Sequence, residues 1–184
     1  TILSAHKNGQ NGVVFNNLPS QSHPGGTPDH TAYYSARNFV ANGMQSVFLQ
    51  DGNSLIIKPD DLVCILQRLK SYFPTITRIT SYARSKTLAQ IEDSDLKNIA
   101  GAGLNRIHVG MESGSNDVLT AVKKGTDKAT QILAGQKVRK AGMELSEYYM
   151  PGLGGQQLSK THALESADAL NKINPDFIRL RTLA

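Results

Sequence analysis

Residues 102–110, Ala102-Gly103-Leu104-Asn105-Arg106-Ile107-His108-Val109-Gly110, set the architecture of the chain. A glycine one step past a helical segment takes a left-handed conformation without a Cβ penalty, and the apolar residue behind it packs back onto the last turn. The run Arg106-Ile107-His108-Val109 then opens a strand. The same junction stands upstream as Ala41-Asn42-Gly43-Met44 before Ser46-Val47-Phe48-Leu49, and downstream as Ala141-Gly142-Met143 before Leu145. Three helix–glycine–apolar–strand junctions form a weak internal repeat of αβ units.

Outward from these junctions the pattern holds. Asp29 or Thr31 opens a helix running to about Asn42. Pro59 with Asp60 and Asp61 suits a first helical turn, and Leu62, Ile65, Leu66 and Leu69 follow on one face before Phe73-Pro74. Asp93 or Ser94 is placed to cap a short helix carrying Leu96 and Ile99. Thr126-Asp127 opens another through Val138, and Ser159 a last one that stops at Asn174-Pro175. Strands are expected at 46–50, 78–82, 106–110, 144–150 and 177–180. Each is separated from the next by a helix, which is the spacing of a βαβ crossover.

The expected fold is therefore α/β, with parallel strands and outer helices. A closed barrel needs eight units and roughly 250 residues; 184 residues allow a partial TIM-type barrel of about five to six strands, or a doubly wound sheet. Residues 1–30, rich in Asn, Gly, Ser, Gln and Pro, read as an irregular N-terminal arm with Val13-Val14-Phe15 as its one short strand. Residues 31–184 read as the barrel domain. The chain opens at Thr1 without a Met, which suggests a processed or cut piece.

Composition removes several function classes. No run approaches the ~20 apolar residues of a membrane span, and no leader pattern is seen, so a cytoplasmic protein is expected. The net charge of +5 is spread over scattered pairs such as Lys123-Lys124 and Arg139-Lys140. No aromatic residues interleave with them, so a nucleic-acid groove is not expected. Cys64 is the single cysteine; it excludes an internal disulfide and reads as a buried structural thiol. The five histidines lack metal-ligand spacing, and His108, inside a strand, reads as a packing residue. Gly152-Leu153-Gly154-Gly155 is neither a P-loop nor a dinucleotide fingerprint, and no nucleophile elbow occurs.

Ligands gather beyond the C-terminal ends of parallel strands. All five strand ends carry Gly, a small hydroxyl or a charge. They are Gln50-Asp51-Gly52-Asn53-Ser54, Ser81-Tyr82-Ala83-Arg84, Gly110-Met111-Glu112-Ser113-Gly114-Ser115, Pro151-Gly152-Leu153-Gly154-Gly155 and Arg181-Thr182. Such a concentration points to one ligand face.

These strand ends resemble those of the radical S-adenosylmethionine proteins, in the branch with the Elp3/MiaB-type domain. Residues 47–55, Val-Phe-Leu-Gln-Asp-Gly-Asn-Ser-Leu, look like that branch's second-strand motif. Residues 106–119 with Lys124-Gly125 look like its fourth, 149–155 its fifth and 174–181 its sixth. Gly-x-Glu-Ser-Gly-Ser is the most specific of these. The resemblance runs from Met44 to Ala184 and implies a partial (β/α)₆ barrel. By it, Gln50-Asp51-Gly52 takes the place of the segment that receives the amino group of the nucleoside methionine. Glu112 and Ser113 take positions facing the ribose and carboxylate side, and Met150, Gly152 and Leu153 the adenine side. Ser81 follows the third strand, and Arg179 or Arg181 is placed to take an anionic group.

The resemblance also implies S-adenosylmethionine and a [4Fe–4S] cluster for the intact family member. The family's Cys-x-x-x-Cys-x-x-Cys loop is absent, so no metal ligand is assigned to this chain. The implied function is a fragment of an iron–sulfur oxidoreductase of unknown substrate, inactive alone. It would supply most of the barrel and part of the nucleoside pocket. The rival reading is a cluster-less barrel acting as a binding or assembly module, its open edge inviting self-association. A third, a doubly wound enzyme, requires a strand order that reverses at a switch point.

Overall fold

The computed structural model describes residues 30–182; the expected arm at 1–30, with its strand at Val13-Val14-Phe15, falls outside them except for residue 30. The chain divides into two compact units, 1–46 and 47–184. In the first, helix α1 (His30–Ala41) ends in a glycine junction, with Gly43 at φ 72° and the Met44 N–H bonded to Phe39 O.

The sheet consists of β1 (Ser46–Leu49), β2 (Arg78–Ala83), β3 (Arg106–Glu112), β4 (Glu144–Tyr149) and β5 (Phe177–Leu180). Their spatial order is their chain order, with β1 and β5 at the edges, and the strands are parallel. Sequential order without reversal is the winding of a barrel and excludes the doubly wound alternative.

Helices fill the crossovers: α2 (Pro59–Tyr72), α3 (Ser85–Gln90), α4 (Asp93–Ala102), α5 (Asn116–Ala121), α6 (Lys128–Lys140) and α7 (Ser159–Ile173). A short 3₁₀ turn, Ser54–Ile56, follows β1. Helices α3 and α5, six residues each, were too short to show a helical period. Helix α2 starts with Pro59 at its first position and two aspartates in its first turn, and Lys70 lies in its last, matching the helix dipole at both ends. Asp127 caps α6 by accepting the Thr130 N–H at 2.7 Å. Neither Asp93 nor Ser159 caps its helix; each lies just inside it.

The glycine stops recur as expected. Gly103 (φ 120°) and Gly142 (φ 85°) end α4 and α6, and the N–H groups of Leu104 and Met143 reach back to Ile99 O and Val138 O. Both apolar residues are buried. Helix α5 ends with the same bond, Lys124 N–H to Leu119 O, yet the left-handed residue is Lys123 (φ 53°).

Ile79, Ile107, Val109 and Leu145 lie on the helix-facing side of the sheet, in a core with Leu88, Leu96, Ile99, Leu104, Ala134 and Val138. Gly135 brings α6 close: a Cβ there would lie 2.6 Å from Ile173 Cγ2 and 3.2 Å from Leu145 Cδ2. On α2 only Leu62 and Leu66 are fully buried, while Cys64 and Ile65 are exposed. The expected buried thiol is therefore corrected: Cys64 is two residues from each end of the Leu62–Leu66 stripe and points away from it.

Candidate functional site

The register places Tyr82, His108 and Ser146 side by side, then Gly110, Tyr148 and Arg179 two residues further on. Alternation puts all six on the face opposite the helices. At the C-terminal ends of β2 and β3 this face opens into a cleft of about 700 Å³, lined by Gly52, Tyr82, Arg84, His108, Gly110 and Lys124 among others.

Gly110 shapes the floor. A Cβ there would lie 2.5 Å from Glu112 Oε1 and 3.1 Å from Lys124 Nζ, so a larger residue would displace this ion pair, 3.4 Å long. The register between β3 and β4 slips between Gly110 and Glu112. Glu112 takes φ 62°, a conformation that a non-glycine residue rarely adopts and that clusters at functional sites. Its Oε2 is buried without a hydrogen-bond partner among the described residues. Beyond the cleft floor lies Glu147, fully buried, whose carboxyl burial pushes up to about 8. Lys124 opposes that rise and Glu112 adds to it. At neutral pH Glu147 is thus held mainly as the acid.

The loop after β1 is fixed to the end of β2 by Asn53. Its side chain donates to Thr87 Oγ1 at 2.9 Å and accepts the Arg84 N–H at 3.0 Å. This brings Gly52 to the cleft wall, with Gln50 and Asp51 just before it in the chain, all three exposed. Asp51 adopts φ 96°, with one carboxylate oxygen accepting the Gly52 N–H at 2.6 Å.

Ser113 is fully buried. Its hydroxyl lies 2.8 Å from His162 Nδ1 and accepts the Ser115 N–H at 3.0 Å. His162 Nε2 is 3.0 Å from Met150 O, a carbonyl that can only accept. Nε2 therefore carries a proton toward Met150 O, and Nδ1 makes the hydrogen bond with the Ser113 hydroxyl. This relay ties the tip of β3 to the tip of β4 through α7. Gly114 lets α7 approach: its N–H donates to Ser166 Oγ at 2.8 Å, and a Cβ would fall 2.5 Å from Glu165 O. Ser115 caps α5. Of Gly-x-Glu-Ser-Gly-Ser, then, Gly110 and Glu112 shape the cleft, and Ser113, Gly114 and Ser115 hold the scaffold.

The remaining positions divide. Met150 joins Glu112 through its N–H to Glu112 O at 3.1 Å. Gly152 (φ 86°) and Leu153 lie on the turn that follows, half-buried or exposed. Ser81 is sealed within β2, its hydroxyl donating to Tyr82 O at 3.1 Å, and does not line the cleft. Arg179 and Arg181 lie over the Tyr148 ring, their Cζ atoms 5.9 Å and 5.0 Å from its centroid. His108 is more than a packing residue. It is 5% exposed, lines the cleft, and its Nδ1 has no partner among the described residues. Burial, then the charges of Arg179 and Arg106, lower its pKa and keep it neutral.

No family model matches the chain, and no curated protein matches it. Solved structures do. The chain is similar to Elp3 from Methanocaldococcus infernus at 14% identity and TM-score 0.62, over 82% of this chain and 40% of that one. It is similar to coproporphyrinogen III oxidase (HemN) from Escherichia coli, a radical SAM enzyme, at 16% and 0.61, over 76% and 32%. It is similar to the radical S-adenosylmethionine methyltransferase TsrM from Kitasatospora setae, solved with cobalamin and a [4Fe-4S] cluster, at 15% and 0.61, over 82% and 30%. The chain has the fold of the radical S-adenosylmethionine enzymes. That likeness reaches, at TM-score 0.50 and 12% identity, 2,3-dimethylmalate lyase of the PEP mutase/isocitrate lyase superfamily. The radical S-adenosylmethionine fold therefore fixes the scaffold, and the chemistry rests on the site. The chain spans well under half the length of those three radical-fold neighbours.

Proposed function

We propose that this chain is the part of a cytoplasmic radical S-adenosylmethionine oxidoreductase that holds the nucleoside side of the cofactor. The observation that supports this reading best is Glu112. Its carboxylate is seated over Gly110 beside the cleft, with one oxygen lacking a donor among the described residues, as a site for a ribose hydroxyl requires. The exposed carboxylate of Asp51 meets the methionine ammonium, and the turn at Met150, Gly152 and Leu153 meets the adenine edge. Arg179 or Arg181 takes the carboxylate, and Ser113 positions Met150 through His162. When bound to a cluster, S-adenosylmethionine supplies the radical chemistry; this chain binds and orients it.

The residues present do not fit the cluster itself. A [4Fe–4S] cluster needs several thiolates, and Cys64 stands alone and exposed on α2. Anaerobic reconstitution with iron and sulfide should leave this chain without a stable cluster. Calorimetric titration should show saturable S-adenosylmethionine binding that weakens about tenfold or more in Glu112→Gln, the loss of one charge-assisted bond. A chain indifferent to the nucleoside at millimolar concentration sinks the proposal. A second reading, a binding or assembly module, draws on the exposed Phe177, Ile178 and Leu180 of the edge strand β5.

A further inference from the structure

The nucleoside reading leaves the charge of the cleft unexplained. Arg84, Lys86, Lys123 and Lys124 all line it, outnumbering the carboxylate of Glu112 beside Gly110. Only Lys124 of these has a carboxylate within ion-pair distance among the described residues, Glu112 at 3.4 Å. Arg84, Lys86 and Lys123 are exposed. S-adenosylmethionine does not call for such a wall: its sulfonium and ammonium outnumber its single carboxylate, so it enters with a net positive charge. A cleft with low-dielectric walls and one sign of charge concentrates ligands of the opposite sign.

His108 adds an independent observation. It lines the same cleft, is almost wholly buried, and its Nδ1 has no hydrogen-bond partner among the described residues. A buried polar atom left unpaired is costly unless a ligand completes it. Phe48 stacks on its ring at 6.0 Å and 11°, and Tyr82 and Tyr148 flank it at 5.6 Å and 5.9 Å, so the imidazole is held in one orientation. A volume of about 700 Å³ is that of a small-molecule pocket.

We propose that this cleft is the substrate subsite of the proposed enzyme and takes a phosphorylated small molecule, its phosphate held by Arg84, Lys86 and Lys123 and its body hydrogen-bonded by His108. Phosphate suits the wall better than a carboxylate does. It carries up to two charges and several acceptor oxygens, enough to engage a guanidinium fork and two ammonium groups together. As a substrate subsite the assignment rests on the nucleoside reading, but the binding needs neither cofactor nor cluster.

The test is calorimetric titration of the chain with inorganic pyrophosphate, and with benzoate at matched ionic strength. Pyrophosphate should bind saturably, tighten as salt is lowered, and weaken at least tenfold in the Arg84→Gln, Lys123→Gln double variant. Both substitutions fall on exposed side chains, so circular dichroism should be unchanged. His108→Asn should weaken binding further; the surface pair carries the test if that buried variant does not fold. Three results overturn the proposal: no saturable pyrophosphate binding, binding untouched by the double variant, or benzoate bound as tightly as pyrophosphate. A fourth is displacement of pyrophosphate by S-adenosylmethionine one for one, which gives the cleft to the nucleoside. Failure of the nucleoside reading shows separately, as pyrophosphate affinity retained in a chain that ignores S-adenosylmethionine.

Discussion

Glu147 places a carboxyl group in the interior, where water cannot solvate its charged form. Burial pushes its pKa from the ordinary 4.5 to about 8. An acid with a raised folded pKa holds its proton in the native state after the unfolded chain has released it. Stability therefore falls as pH rises from about 4.5 to about 8, and levels off beyond. Across that window the expected loss is a few kcal/mol. Glu147→Gln should flatten the slope, so urea midpoints measured at pH 5 and pH 8 should converge in the variant and diverge in the parent. A parent midpoint that rises over this range would contradict the assignment. At this scale sequence reading reached only part of the site. Gly110 and Glu112 stood out within a motif, but the hydroxyl of Ser113 goes to His162, 49 positions away, which no local pattern announces. Cys64 is exposed where a buried thiol is expected, because a run of apolar neighbours hides which side of a helix each occupies.

Among the elements, α7 packs closely on the turn after β3. The Cβ of an alanine at 114 would lie 2.5 Å from Glu165 O and 2.7 Å from Ser166 Cα, both backbone atoms that cannot swing aside. Gly114→Ala should cost about 2–3 kcal/mol, read as a lower urea midpoint with an unchanged slope. A midpoint within error of the parent would mean that α7 shifts freely. The helix–strand junctions show what sequence can and cannot announce. Gly43, Gly103 and Gly142 disclosed three because glycine is cheap in the left-handed region. The stop after α5, at Lys123, leads into α6 rather than a strand, and uses the same backbone bond without the residue that advertises it. All five strands fell within two residues of their expected ends, because each is a short run bounded by strong stops.

The molecule as a whole presents a parallel sheet whose last strand, β5, carries Phe177, Ile178 and Leu180 exposed at 41%, 51% and 67%. The outer edge of β5 has no strand partner among the described residues, and an open edge beside apolar side chains is a template for further strand addition. Light scattering should show concentration-dependent association of the parent, reduced by Ile178→Lys; a strictly monomeric parent would remove the edge as an interaction surface. Strand order was legible only as a pair of alternatives, barrel or doubly wound, since spacing fixes the crossover but not which neighbour a strand chooses. The cationic wall of the cleft was not legible at all: Arg84 and Lys86 lie some forty positions from Lys123 and Lys124, and only the winding of β2 and β3 brings them together.

That winding has a bearing on biosynthesis. Each ribbon hydrogen-bonds to the one made just before it, so a chain leaving the ribosome always finds its next pairing surface already built. Such a topology can zip from its start without waiting for distant partners.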